Sequence, residues 1–115
     1  MKVSEVLTEA KALIVDPANW MQGDYTEVRE GRTCFCSLGA IATVMMSYPE
    51  SGVTWFGEST ATPAAKALRS VVGNAVHEHE TFAPYNDSHT HAEVMEAFDK
   101  AIYTALVQEG EVVKL

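Results

Sequence analysis

An uncharged stretch of fifteen residues, from Cys34 to Tyr48, constrains the fold of this chain more than any other feature. Large apolar residues and small residues alternate along it, so a helix built from it is polar on no face and must be covered on all sides. It is too short to cross a bilayer, which needs about 20 apolar residues. The stretch therefore predicts a buried central helix at about 37–48.

Three further helices have clear boundary signals. Residues 4–15 carry an apolar stripe behind Ser4, which we predict to be the N-cap. Pro63 stands at the start of a third helix, where a missing N–H costs nothing. Thr90 and Glu93 form a capping box that opens the last helix.

These elements predict a mainly α protein, a compact bundle of about four helices around the central one, in a single domain over 1–115. We expect the third and the last helix to flank the central helix, because only that helix lacks a solvent face. The residues at about 25–35 are compatible with a small β-hairpin that turns at Glu30-Gly31. Residues 74–89 are expected to be irregular, with a turn near Pro84.

The charge of the chain narrows the classes of partner. The chain has sixteen acidic and eight basic residues, which gives a formal net charge of −8. Such a surface repels nucleic acid and anionic membranes, because both are bound through Lys and Arg. A protein partner with a basic surface fits better. With two cysteines separated by one residue and no apolar leader at the N-terminus, we expect a cytoplasmic protein with free thiols.

Four histidines form the first candidate for chemistry. They stand as two pairs, His77 with His79 and His89 with His91. Spacing by two on an extended segment places both rings on one side, which could chelate a metal. However, the second pair overlaps the start of the last helix, and solvated histidines are the simpler interpretation. We therefore expect no metal and no cofactor, with these four residues as the alternative ligand set.

Cysteine is the second candidate. Cys36 precedes the central helix by one residue, and a helix N-terminus lowers the pKa of a thiol. With Asn86 or Asp87 and then His89 or His91 later in the chain, the order of residues permits a thiol nucleophile with a base and an orienting group. Packing in the core is the commoner role of such a cysteine. We expect Cys36 to be shielded and Cys34 to be the more accessible thiol.

Two aromatic clusters are candidates for binding. Trp55 and Phe56 lie in a loop, where aromatic residues either pack on the core or anchor a partner. Trp20 and the segment Tyr85-Asn86-Asp87 combine aromatic, carboxamide and carboxylate groups, which together could hold a small polar ligand. The same Asn and Asp could instead order the turn before the last helix.

Short motifs along the chain resemble an uncharacterised family of small actinobacterial and bacteriophage proteins. The family carries motifs of the form Cys-x-x-Gly-Ala and Trp-Asn-Asp, and the similarity covers about residues 4–106. The matching positions are Trp20, Gly23, Cys36, Gly39, Ala40, Tyr85, Asn86, Asp87, Thr90 and Glu93. Tyr85 stands where the family usually has Trp, and the four histidines are not part of its pattern. The resemblance implies a phage or bacterial source and no particular mechanism.

The sequence as a whole favours a small acidic binding protein over an enzyme. A phage-encoded accessory protein that docks on a host protein or binds a small polar ligand fits its size and charge. The alternative is a small hydrolase or transferase that depends on the Cys36 thiol or on a histidine-bound metal.

Overall fold

A computed structural model describes residues 1–75 and 80–113, which form five α-helices, four short 3-10 turns and one β-hairpin. The helices are α1 (Val3–Ile14), α2 (Ser37–Met46), α3 (Pro63–Ser70), α4 (Ala83–Ser88) and α5 (His91–Gln108). The 3-10 turns cover Pro17–Asn19, Pro49–Ser51, Phe56–Ala61 and Gly73–Ala75. The strands β1 (Thr26–Arg29) and β2 (Arg32–Phe35) pair antiparallel. The predicted mainly α fold with a small hairpin is confirmed.

Helix α2 lies at the centre of the core. Leu38, Ile41 and Val44 are buried, and so are Gly39, Ala40 and Ala42, whereas Thr43 is half-buried. Helix α1 covers one side of α2, and the 3-10 turn at Phe56–Ala61 covers another. Because α2 carries no charge, its burial leaves no charged group to desolvate. The prediction of a buried central helix is confirmed.

Helix α1 separates α2 from the last helix. It packs against α2 and also against α5, whereas α3 contributes fewer contacts to α2. The expectation that α3 and α5 flank α2 is therefore wrong for α5, whereas α3 does contact α2. The apolar stripe of α1 is wide enough to serve two neighbours, since Val6, Leu7, Ala10 and Ile14 are all buried.

Ser4 lies inside α1 and is not its N-cap, a role that Lys2 fills. The side chain of Ser4 is buried and donates a hydrogen bond to Glu109, which follows α5, and the Ser4 amide donates to the same carboxylate. Lys2 also forms an ion pair with Glu111. The start of α1 is thus bound to the end of α5. Ser4 contributes to this contact instead of capping α1.

Helix α4 lies in the segment that was expected to be irregular, so that prediction is wrong at 83–88. Pro84 fits the first turn of a helix, where no N–H is needed. Asn86 and Asp87 direct their side chains to other segments of the chain, and so they do not compete with the helix for its own backbone.

Within the described part of the chain, no helix is long and apolar enough to cross a membrane.

Candidate functional site

The N-terminus of α2 is the point where several of the motif residues meet. Cys36 is the N-cap, and its Sγ accepts a hydrogen bond from the Gly39 amide at 3.3 Å. The Cys36 amide donates to the carbonyl of Tyr25 at 3.2 Å. A Cβ on Gly39 would lie 1.9 Å from that same carbonyl oxygen. The Cys-x-x-Gly spacing therefore lets the backbone of Tyr25 rest directly on the first turn of α2.

Asn86 joins α4 to this point through a group of hydrogen bonds that we call the Asn86 clamp (Trp20, Met21, Ser37 and Asn86). Its Oδ1 accepts from Trp20 Nε1 at 2.9 Å, from Ser37 Oγ at 2.7 Å and from the Ser37 amide at 3.0 Å. Its Nδ2 donates to the carbonyl of Met21 at 3.0 Å and to Asp87 Oδ1 at 3.1 Å. The side chain of Asn86 is 0% exposed. Both polar atoms are used, so Asn86 has no capacity left for a ligand.

Asp87 follows Asn86 but faces a different environment. It is exposed, and its Oδ1 accepts from the amide of Gly23 at 2.9 Å. Gln22 fixes the same loop from the other side, because its Nε2 donates to the carbonyls of Asn86 and His89 at 3.1 Å each. The loop before the hairpin is therefore held against α4, with the Asp87 carboxylate between them.

A cavity of about 160 Å³ remains between this loop, α2 and α4, and we call it the Asp87 cavity. It is lined by Gly23, Asp24, Tyr25, Cys36, Ala83 and Asp87. The carboxylates of Asp24 and Asp87 belong to exposed residues, and neither forms an ion pair within residues 1–75 and 80–113. The cavity thus combines apolar surface with two negative charges that lack a cationic partner among the described residues.

The Cys36 thiol lies in the wall of this cavity and is 5% exposed. Burial raises its pKa above the ordinary value, and the carboxylates of Asp87 and Asp24 raise it further. The amides of Gly39 and Leu38 oppose this shift, and they do not reverse it. The thiol is therefore protonated near neutral pH, which disfavours a nucleophilic role. Cys34 is 0% exposed, which corrects the expectation that it is the more accessible thiol.

Neither described histidine lines the cavity. The ring of His89 stacks on Tyr85 with centroids 3.7 Å apart, and its Nδ1 lies 3.0 Å from the Tyr85 carbonyl oxygen. His91 Nε2 lies 2.7 Å from the carbonyl oxygen of Ile14, and its ring meets the edge of Trp20. The structure therefore brings Cys36 together with Asp87, and it does not bring Cys36 together with His89.

Two of the four histidines of the alternative metal-ligand set, His89 and His91, lie within the described residues. His77 and His79 lie outside the described residues. Among the residues that are described, no three His, Cys, Asp or Glu side chains are grouped as ligands for a metal ion. His89 and His91 point to different segments, because one packs on Tyr85 and the other contacts α1 and Trp20.

Trp55 and Phe56 have different surroundings. The Phe56 ring stacks on Tyr25, with centroids 5.8 Å apart and an interplanar angle of 15°. Trp55 is 62% exposed. Of the two loop aromatics, one therefore packs next to the residue that lines the cavity, and the other remains on the surface.

Asp24 and Tyr25 are site residues that sequence reasoning missed. Both lie in a polar stretch without a periodic pattern, and the contacts that place them come from α2 and α4. One signal was available in the sequence. Gly39 lies inside a predicted helix, and a glycine at such a position indicates the close approach of another segment. That segment is the backbone of Tyr25.

Fold and site together define a small, mainly helical protein with a cavity at the N-terminus of its central helix. A family model described as a family of unknown function (DUF6197) matches residues 1–104, and the chain belongs to this family. No curated protein and no solved structure matches the chain.

Proposed function

We propose that this protein acts by binding, and that the Asp87 cavity takes up an alkylammonium or guanidinium group. The observation that carries the proposal is the pair of carboxylates, Asp24 and Asp87, on a cavity whose other walls include Tyr25, Cys36 and Ala83. Such walls suit the methylene groups of a basic side chain, and the carboxylates suit its charged end. The raised pKa of Cys36 favours binding over a thiol-dependent reaction.

The size of the cavity supports a small group as its occupant. A volume of about 160 Å³ is close to the roughly 150 Å³ that holds one benzene molecule. Sites that enclose a whole metabolite usually have volumes of about 300 Å³ or more. The cavity therefore suits the end of a side chain or a short amine.

The source and the setting of this binding follow from the resemblance and the charge. We propose a phage-encoded accessory protein that acts in the host cytoplasm on a partner with a basic surface. A net charge of −8 supports such a partner, because opposite charges accelerate association. The same charge disfavours nucleic acid and anionic membranes as partners.

Isothermal titration calorimetry with N-acetyl-lysine methylamide tests the proposal. N-acetyl-norleucine methylamide, which has the same shape near the backbone but no charge, is the control ligand. We expect binding of the lysine derivative only, and about tenfold weaker binding to Asp87→Asn, since a charged hydrogen bond contributes about 1.5 kcal/mol or more. Asp24→Asn is expected to act in the same direction.

The Asn variants keep the oxygen that accepts from the Gly23 or Tyr25 amide, so the loop is expected to stay in place. Asp99→Asn on α5 is the matched control. It removes the same charge from a carboxylate that pairs with Lys11 and does not line the cavity. Equal binding of both ligands, or an equal loss with Asp99→Asn, would overturn the proposal.

A further inference from the structure

We infer that the basic group in the Asp87 cavity is a side chain of a protein partner, and that Trp55 is a second anchor in the same interface. The inference rests on the proposed function of the cavity. The separate observation that supports it is that Trp55, a large apolar side chain, is 62% exposed. Tryptophan is among the residues that contribute most to protein–protein affinity.

The segment around Trp55 is held in a defined conformation. Glu58 Oε1 accepts hydrogen bonds from the amide and the hydroxyl of Thr54, at 3.2 Å and 2.5 Å. The Trp55 ring lies over Gly57, where a Cβ would come within 2.2 Å of two ring carbons. The hydrogen bonds between Thr54 and Glu58 restrain the backbone that carries Trp55, so this segment loses less entropy on binding than a mobile loop would.

Trp55 is connected to the cavity through its neighbour. Phe56 stacks on Tyr25, and Tyr25 lines the cavity. The segment that carries Trp55 is therefore packed onto one wall of the cavity. A partner that places a basic side chain in the cavity would therefore lie close to the segment that carries Trp55.

Charge and size favour a protein as the occupant of this surface. Glu50 and Glu58 border Trp55 in sequence and form no ion pair within residues 1–75 and 80–113. An aromatic residue bordered by acids suits a basic surface, and its ring can also hold a second basic side chain through a cation–π contact. A cavity of about 160 Å³ encloses only the end of such a chain, so the rest of the partner must lie outside it.

The test compares one lysine with several. The probes are N-acetyl-lysine methylamide and a heptapeptide of alternating glycine and lysine, with the fully Nε-acetylated peptide as the uncharged control. Beyond the statistical factor that its several equivalent lysines supply, we expect the peptide to bind about two- to fivefold more tightly than the single lysine, the range of an exposed cation–π contact. Trp55→Ala should remove this gain and leave the affinity for the single lysine unchanged.

Gly57→Ala provides a matched variant that keeps the indole. Its new Cβ would displace the Trp55 ring, so the gain with the peptide should also fall while binding of the single lysine persists. A peptide that binds no more tightly than the single lysine, once the statistical factor is removed, would overturn the docking surface and leave the cavity proposal intact. Failure of both ligands to bind would instead overturn the cavity proposal itself.

Self-association supplies the remaining outcome. If sedimentation shows a dimer that Trp55→Ala dissociates, a second copy of this chain occupies the surface, and the basic partner is excluded. An equal loss of peptide and single-lysine affinity in Trp55→Ala would assign Trp55 to the cavity and also contradict the inference.

Discussion

Asn86 and Asp87 are consecutive residues of one motif, yet they belong to two regions with different properties. Asn86 is fully buried, and the clamp that it forms uses every polar atom of its side chain. Asp87 is exposed on the rim of a cavity and carries a charge without a cationic partner among the described residues. One region positions three segments of the chain, and the other is available to a ligand.

This difference shows how to interpret the short motifs of the sequence. Trp20, Ser37 and Asn86 hold the loop, α2 and α4 together, so they are required for the cavity to exist. Asp24 and Asp87 line the cavity that results. Mutations in the clamp should therefore change stability, and mutations at the rim should change binding.

The largest effect is expected for Asn86→Ala. The substitution leaves the Trp20 indole, the Ser37 amide and hydroxyl, and the Met21 carbonyl without their partner. One unsatisfied buried group costs about 1–3 kcal/mol, so we expect a loss of about 3 kcal/mol or more in the free energy of unfolding.

Denaturant unfolding of Asn86→Ala measures this loss. Asn19→Ala is the control, because the Asn19 side chain makes a hydrogen bond only to the exposed Arg32 among the described residues. A stability of Asn86→Ala equal to that of the control would remove the distinction between clamp and rim.

A second large effect is expected for Gly39→Ala. Replacing a helical glycine with alanine normally stabilises by about 1 kcal/mol. Here the new Cβ would lie 1.9 Å from the backbone oxygen of Tyr25, so we expect destabilisation by about 2 kcal/mol, as for other overpacked sites.

Gly57→Ala sharpens this result, because its Cβ meets only the exposed ring of Trp55, which can move. Its unfolding free energy should change by less than about 0.5 kcal/mol, as for ordinary surface substitutions. Stabilisation by Gly39→Ala would mean that the backbone of Tyr25 does not rest on α2.

A smaller effect is expected on the reactivity of Cys36. Burial and a raised pKa should make its alkylation by iodoacetamide at pH 7 slower than in the chain unfolded by guanidinium. N-acetyl-lysine methylamide should slow the reaction further, because it occupies the cavity that Cys36 lines. Fragmentation mass spectrometry distinguishes Cys36 from Cys34. Rapid labelling of Cys36 in the folded protein would favour the thiol-enzyme alternative.

Much of the fold could be predicted from local patterns, because those patterns determine it. The lack of charge between Cys34 and Tyr48 requires burial, and the Thr90–Glu93 capping box fixes the start of α5 without help from other segments. The left-handed backbone of Glu30 and Gly31 supports the turn of the hairpin at the predicted position.

The site could be predicted only in fragments, because long-range contacts build it. Asn86 reaches back to Trp20 and Ser37, and no local pattern reports a hydrogen bond over such a distance in sequence. Helix α4 was missed for the same reason, since its side chains find their partners in the loop and in α2. Which of Trp55 and Phe56 is exposed depends on the position of Tyr25, because the Phe56 ring stacks on Tyr25.

The smallest effect concerns acid sensitivity, away from both regions. Hydrogen bonds from Ser4 lower the pKa of Glu109 below its ordinary value. A lowered pKa means that this contact stabilises the folded state above the ordinary pKa of a glutamate, and that the stabilisation is lost as the pH falls through the lowered value. Glu109→Gln should therefore show a smaller decrease in melting temperature between neutral and acidic pH.

Glu50→Gln is the control for this change, since Glu50 is exposed and has no hydrogen bond within the described residues. An equal decrease in Glu109→Gln and in the unmodified protein would show that the contact between α1 and α5 does not contribute to acid sensitivity. A difference between Glu109→Gln and Glu50→Gln would assign this acid sensitivity to the contact between α1 and α5, and not to the carboxylates of the cavity rim.

The central claim is that the carboxylates of the Asp87 cavity bind a basic group while the Asn86 clamp stays unchanged. A titration of the ¹⁵N-labelled protein with N-acetyl-lysine methylamide, followed by amide chemical shifts, tests this claim directly. We predict saturable shifts centred on Gly23, Tyr25 and Cys36, with no comparable shifts from the norleucine derivative. Shifts that centre on another part of the chain, or that are equal for both ligands, would contradict it.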